Sequence, residues 1–188
     1  MMAAMPAHLR PPLSRPLISR PLISERRIRA RVAALARAID ADYRGENLGL
    51  VAVLKSAAVF AADLLRRLET PATLDFLAAS SYRGAATSSG AVTLGGGDAL
   101  AVAGRHLIVV EDILDTGLTA CAVLDRLRRE APASLALCAL LRKPAAAALD
   151  LPVAYVGFDI ADDFVVGYGM DYAERYRNLR AIHRLARR

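Results

Sequence analysis

The sequence predicts an α/β fold, a central and mostly parallel sheet flanked by helices. Three observations predict it. Apolar runs suited to strands buried on both faces recur at residues 48–54, 107–110, 135–141 and 153–158. Segments with helical spacing of apolar residues alternate with them, the pattern of parallel strands joined by right-handed crossovers. Polar turns follow the strands, at the edge where open parallel sheets bind ligands. A chain of 188 residues fits a single domain whose core needs no disulfide.

Composition narrows the function classes. No apolar run approaches the ~20 residues of a membrane span. A formal net charge of +6 suggests nucleic acid, but its distribution argues otherwise. Residues 1–31 hold seven arginines (Arg10, Arg15, Arg20, Arg26, Arg27, Arg29, Arg31) against Glu25, and the other 157 residues balance 18 basic with 18 acidic side chains. Cys121 and Cys138 lack metal-ligand spacing and read as buried thiols in a reducing cytoplasm. Of 25 basic residues only Lys55 and Lys143 are lysine. That bias marks each as a candidate for a position that needs a compact ammonium.

In chain order, residues 1–20 are rich in Pro and Arg and lack periodicity, and Arg15-Pro-Leu-Ile-Ser19 repeats as Arg20-Pro-Leu-Ile-Ser24. They read as a disordered basic extension without the apolar centre of a secretory signal, leaving residues 21–188 as one domain. Ser24 is a good N-cap, and Ile28, Val32, Leu35, Ala36 and Ile39 share one helical face after it. The run 48–54 stops at Lys55-Ser56, and residues 57–68 read as a helix. Residues 74–79 make the next strand. The small, polar, glycine-bearing stretch through Ser81, Tyr82 and Gly90 reads as a mobile loop, and 91–94 as a short strand. After 135–141 the chain turns at Arg142-Lys143-Pro144, and 153–158 leads into an aromatic-rich end.

The most informative stretch is residues 107–119. The apolar run 107–110 is followed by Glu111 and Asp112, then by Asp115-Thr116-Gly117-Leu118-Thr119 and a helical segment over 120–129. Backbone N–H groups at a helix start, with the helix dipole, favour an anion. Gly117 lets backbone approach a phosphate, and the two threonines add hydroxyls. Three carboxylates beside such a loop would repel a bare phosphate. A sugar phosphate with a divalent metal resolves the conflict, because hydroxyls and metal occupy the acids. An ordinary acidic turn explains either carboxylate alone but not the whole arrangement.

This stretch resembles the phosphoribosyl pyrophosphate signature of the type I phosphoribosyltransferases, and residues 109–119 resemble its version in the hypoxanthine enzymes. The likeness extends to Val53-Leu54-Lys55-Ser56, where the family usually has glycine after the lysine and a peptide that is often cis. It takes in Ser80-Ser81-Tyr82 with Thr87-Ser88-Ser89-Gly90, and the end from Asp162 through Phe164, Asp171, Glu174 and Arg177 to Asn178. It runs over roughly 22–185 and implies a type I phosphoribosyltransferase fold with a small C-terminal hood.

The resemblance also implies a reaction: Mg²⁺-dependent transfer of phosphoribosyl from phosphoribosyl pyrophosphate to hypoxanthine, with guanine as a second 6-oxopurine. Thr116, Gly117, Leu118 and Thr119 would hold the 5′-phosphate. Glu111 and Asp112 would engage ribose hydroxyls directly or through Mg²⁺, and Asp115 would be the proton partner at purine N7. Lys55, Ser56 and Arg177 would hold pyrophosphate. Phe164 would stack on the purine, Val165 would pair with its edge through its backbone, and Lys143 would donate to the 6-oxo group. Asp171 would border the purine site and bind a second Mg²⁺, and Ser81 and Tyr82 would belong to the closing loop. The family implies a homodimer or homotetramer. Rival readings are a xanthine- or uracil-specific transferase, or a nucleic-acid-binding regulator on the same fold. Loss of an essential acid would mark the regulator, and Glu111, Asp112, Asp115 and Asp171 are all present.

Overall fold

The computed structural model describes residues 18–81, 92–95, 100–147 and 150–185. In chain order the elements are β1 (Ile18–Ile23), α1 (Glu25–Asp42), β2 (Leu48–Leu54), α2 (Ala57–Leu65), β3 (Ala72–Ser81), β4 (Val92–Gly95) and β5 (His106–Leu114). Then follow α3 (Leu118–Arg128), β6 (Ser134–Arg142), α4 (Pro144–Ala147), β7 (Val153–Asp159), β8 (Val165–Val166) and β9 (Ile182–Leu185). Six strands form the main sheet in the order β4-β3-β2-β5-β6-β7, parallel throughout except for β4 against β3. This is the expected α/β architecture.

Alternation along the central strands divides the core. Leu50, Ala52, Ile108, Val110 and Cys138 face the layer of α1 and α2, while Val51, Val53, Leu107, Val109 and Leu137 pack with α3. Both faces are covered, so these strands read as continuous apolar runs and not as alternating ones. α1 starts where expected: Ser24 Oγ accepts from the Arg27 N–H at 3.4 Å. Its face of Ile28, Val32, Leu35, Ala36 and Ile39 is buried, each larger side chain stabilising by about 1.5–3 kcal/mol.

β3 runs to Ser81, past the expected end at 79 and into the expected loop, held there by pairing with β4, and three further boundaries differ for a physical reason. α2 ends at Leu65 instead of 68, because the chain tightens there: Arg67 N–H donates to Leu64 O and Leu68 N–H to Leu65 O. β5 does not stop at Val110. Its pairing with β6 continues to Leu114 opposite Arg142, so Glu111 and Asp112 lie within the strand. β1 begins at Ile18, before the expected domain start at 21, and pairs antiparallel with β9.

β1, β9 and β8 form a second, three-stranded sheet, the hood. Neither β1 nor β9 shows a strand pattern in sequence. β1 carries Pro21, which an edge strand tolerates because its outer N–H needs no partner. The hood is tied down by Tyr168, whose hydroxyl donates to Asp63 Oδ2 of α2 at 2.8 Å. Residues 1–17, Tyr82 and Thr87 to Gly90 lie outside the described residues.

Candidate active site

The turn after β5 is built as an anion cradle. Gly117 caps α3 with φ +77° and no side-chain hydrogen bond covers the helix start. The first intrahelical bond is from Cys121 N–H to Gly117 O at 2.9 Å, so the N–H groups before it have no partner in the helix ladder. A cavity of about 70 Å³ opens there, lined by Glu111, Asp115, Thr116, Gly117 and Thr119 among others. That suits one phosphate group. Leu118 turns its side chain outward and is 53% exposed.

The acidic pair lies at the root of this turn. Glu111 and Asp112 are both buried. Burial pushes the Glu111 carboxyl well above the usual range, and the neighbouring Asp112 charge pushes further. Asp112 is pushed up to about 6 by burial, although its own N–H, the Ile113 N–H and Arg177 oppose the shift; Asp171 adds to it. Two buried acids with raised pKa have spare affinity for a cation or for hydroxyl donors.

The turn after β2 faces the hood. The cis peptide there is Leu54–Lys55, which precedes Lys55 and is not the Lys55–Ser56 bond. Arg177 of the hood reaches this turn: its Nη1 donates to Ser56 Oγ at 2.9 Å and to Gly169 O at 2.8 Å. Its Nη2 pairs with Asp171 Oδ1 at 2.9 Å and with Glu174 Oε2 at 3.3 Å. Lys55 Nζ meets the same Glu174 oxygen at 3.1 Å. Lys55, Ser56 and Arg177 are thus brought together, with Asp171 beside them on the same side as Asp112. A separate cavity of about 500 Å³ shares Arg177 with this cluster but none of residues 111–119.

Lys143 stands just past β6. Its ammonium is nearly buried and pairs with Asp115 Oδ2 at 3.1 Å and Asp162 Oδ1 at 2.9 Å. Burial alone would lower its pKa; the bonds from Asp162 and Asp115 outweigh that and raise it. Phe164 begins the hood and is 37% exposed, so it is not spent on core packing. It meets Tyr172 edge-on, with ring centroids 5.9 Å apart. Val165 is buried in β8, and Leu185 N–H donates to Phe164 O at 2.9 Å, anchoring this segment to β9.

Sequence reasoning missed Asp162, Gly169 and the bridging place of Glu174. A Cβ on Gly169 would lie 2.2 Å from Ser56 O. The Gly-Tyr-Gly spacing at 167–169 is the one signal that could have pointed to it. Ser81 ends β3, and Tyr82 lies outside the described residues.

The donor set also decides how a metal could sit. Among the described residues no three His, Cys, Asp or Glu side chains gather into a metal cage. Mg²⁺ is commonly held by one or two carboxylates with substrate phosphates and waters completing the shell. Asp112 and Asp171, each within electrostatic reach of the other, fit a cation that arrives with a phosphate ligand.

The family model for the phosphoribosyl transferase domain matches residues 23–173. A hypoxanthine-guanine phosphoribosyltransferase of Mycobacterium avium is 46% identical over 158 residues, covering 81% of this chain and 78% of that protein. A hypoxanthine phosphoribosyltransferase of Salmonella typhimurium is 42% identical over 157 residues, 82% of this chain and 88% of its own length. The crystal structure of a Bacillus anthracis hypoxanthine-guanine phosphoribosyltransferase superposes with a TM-score of 0.83 at 42% identity, covering 90% of this chain and 98% of that one. With a family model matched over most of its length and relatives this similar in sequence and fold, the chain belongs to the phosphoribosyltransferase family, among its hypoxanthine(-guanine) members.

Proposed function

We propose that the chain transfers the 5-phosphoribosyl group from phosphoribosyl pyrophosphate to hypoxanthine, and to guanine as a second 6-oxopurine, releasing pyrophosphate in purine salvage. The observation that carries the base specificity is the contact of Lys143 with Asp115 at 3.1 Å. O6 and N7 are neighbours on one edge of a 6-oxopurine. With a proton on N7, that edge offers an acceptor beside a donor. An ammonium beside a carboxylate is its complement. Adenine would set a 6-amino donor against the Lys143 donor and leave both unpaired.

In this reading Thr116, Gly117, Leu118 and Thr119 hold the 5′-phosphate, mainly through backbone N–H groups. Glu111 and Asp112 hold the ribose hydroxyls, with their raised pKa values brought down when those donors or a cation arrive. Purine N9 attacks C1 as the bond from C1 to pyrophosphate breaks. Asp115 accepts the proton from N7. Phe164 covers one face of the base, and the Val165 backbone meets its edge. Lys55, Ser56 and Arg177 take up the negative charge that develops on pyrophosphate, where fixed cations help most. Asp112 and Asp171, with Glu111 nearby, would hold Mg²⁺, which when bound would neutralise charge on the substrate's phosphates. The family resemblance assigns Ser81 and Tyr82 to a closing loop that would keep water from an oxocarbenium-like centre; Ser81 itself ends β3.

The family likeness also supports a homodimer or homotetramer, which sedimentation would size. The two free cysteines, Cys138 fully buried, suit work in a reducing cytoplasm. Among the described residues no helix is long and apolar enough to cross a membrane. Product analysis with phosphoribosyl pyrophosphate, Mg²⁺ and each of hypoxanthine, guanine, xanthine and adenine tests the proposal. Nucleotide should form from the first two and not from adenine. Equal turnover of adenine overturns the assignment of Lys143 and Asp115.

A further inference from the structure

One exposed carboxylate joins the two cations assigned to pyrophosphate. Glu174 Oε2 lies 3.1 Å from Lys55 Nζ and 3.3 Å from Arg177 Nη2. The cations come from segments more than a hundred residues apart, yet one oxygen serves both, as a bridging phosphate oxygen would. The backbone fixes its place. Glu174 N–H donates to Asp171 Oδ2 at 2.8 Å, and Tyr172 and Arg175 exchange two backbone bonds of 3.1 Å around it. Ala173 and Glu174 both take left-handed backbone, with φ 52° and 62°. Non-glycine residues adopt that conformation in succession only where their surroundings demand it.

Arg177 is also held by Ser56 Oγ and Gly169 O through Nη1, and by Asp171 Oδ1 at 2.9 Å through Nη2. For pyrophosphate to engage Lys55 and Arg177 together, the Glu174 contacts have to give way. An ordinary surface ion pair would hold one cation with little net gain; this one bridges two cations of the proposed pyrophosphate site.

We propose that Glu174 is a positioning residue that competes with pyrophosphate for Lys55 and Arg177: it holds the two cations at the ligand's spacing and returns to displace the product after turnover. The inference rests on reading Lys55, Ser56 and Arg177 as the pyrophosphate site. A single carboxylate yields to a polyvalent phosphate, so substrate still binds. Because the competitor is tethered, it lowers apparent affinity by the fraction of time it occupies the cations. Occupancy nine-tenths of the time would correspond to about a tenfold loss.

The test titrates magnesium pyrophosphate calorimetrically into the full chain and into Glu174→Gln, Glu174→Asp and Arg177→Met, with steady-state kinetics on each. Glu174→Gln should bind pyrophosphate about tenfold more tightly. Its KM for phosphoribosyl pyrophosphate should fall, and kcat should fall with it as product release slows. Glu174→Asp, which keeps the charge, should stay nearer the parent chain. A merely structural Glu174 would instead weaken binding and turnover together. If Arg177→Met abolishes pyrophosphate binding while Glu174→Gln leaves it unchanged or weaker, the competition is wrong and the site stands. If pyrophosphate binds equally well to Arg177→Met, the site itself is misassigned and the inference goes with it.

Discussion

At Asp115 the carboxylate meets an ammonium at 3.1 Å on one side and the phosphate turn on the other. Asp115→Asn keeps the shape and the turn but removes the proton acceptor. It should bind phosphoribosyl pyrophosphate as the parent chain does while kcat falls about 10²–10⁴-fold; pre-steady-state and binding assays on the same sample separate the two, and near-normal turnover would sink the role. Lys143→Ala removes the donor proposed to face the 6-oxo group. The ratio of kcat/KM for hypoxanthine over adenine should drop by about tenfold or more, and competition assays with both bases measure it. Asp115 and Lys143 could be read from sequence through the family resemblance, with the scarcity of lysine adding to the second. Asp162 could not. Beside Asp163 it looks like solvated surface, and only the fold brings it within 2.9 Å of Lys143.

At the scale of elements, the site depends on how closely separate segments approach. Gly169 of the hood lies against Ser56 of the turn after β2: a Cβ would sit 2.2 Å from the Ser56 carbonyl oxygen, and φ is +98°. Gly169→Ala must therefore push that turn away from Arg177. A displacement of about 1 Å at a catalytic contact can cost about 10²-fold, so kcat/KM for phosphoribosyl pyrophosphate should fall by that order. Steady-state kinetics with thermal unfolding would separate displacement from misfolding. Far from the site, Asp40 near the end of α1 accepts the Thr70 N–H at 2.9 Å and the Glu69 N–H at 3.1 Å, fixing the link from α2 to β3. Burial would raise its pKa, but the Thr70 and Glu69 N–H groups and Arg44 hold it below the ordinary 3.8. Its contribution is thus full above that value and fades as pH falls through the lower folded value. Asp40→Asn should cost about 1–3 kcal/mol at neutral pH, and the gap in denaturant midpoint should close on acidification. A gap that widens in acid would contradict the assignment. The strands of the main sheet were legible because burial on both faces makes them plain apolar runs. Glu111 and Asp112 interrupt that pattern, which is why the carboxyl end of β5 looked four residues shorter than it is.

On the scale of the whole molecule, the hood beside the candidate site is a sheet made from both ends of the described chain. β1 and β9 pair from Ile18 opposite Leu185 to Ile23 opposite Ile182, and Ile23 and Ile182 are buried in one cluster with Val165, Tyr168 and Met170. Local pattern could not show this, since each strand is short, one carries a proline, and their partner lies some 160 residues away. Phe164, Val165, Asp171 and Arg177 all belong to this hood or to the turn it holds, whereas the phosphate turn belongs to β5 and α3. Removing β1 should therefore act on the purine and pyrophosphate halves and spare the phosphate half. Deleting residues 1–23 exposes the β9 edge and removes Ile23, worth about 1.5–3 kcal/mol of burial. KM for hypoxanthine should rise about tenfold or more as the hood loosens. Ribose 5-phosphate, which needs only the phosphate turn and the acidic pair, should bind almost unchanged. Deleting residues 1–17 instead leaves the β1–β9 pairing in place, and KM should stay near that of the full chain. Equal kinetic loss in the two truncations would mean that β1 does not hold the hood, and that the segment before it contributes to the site directly.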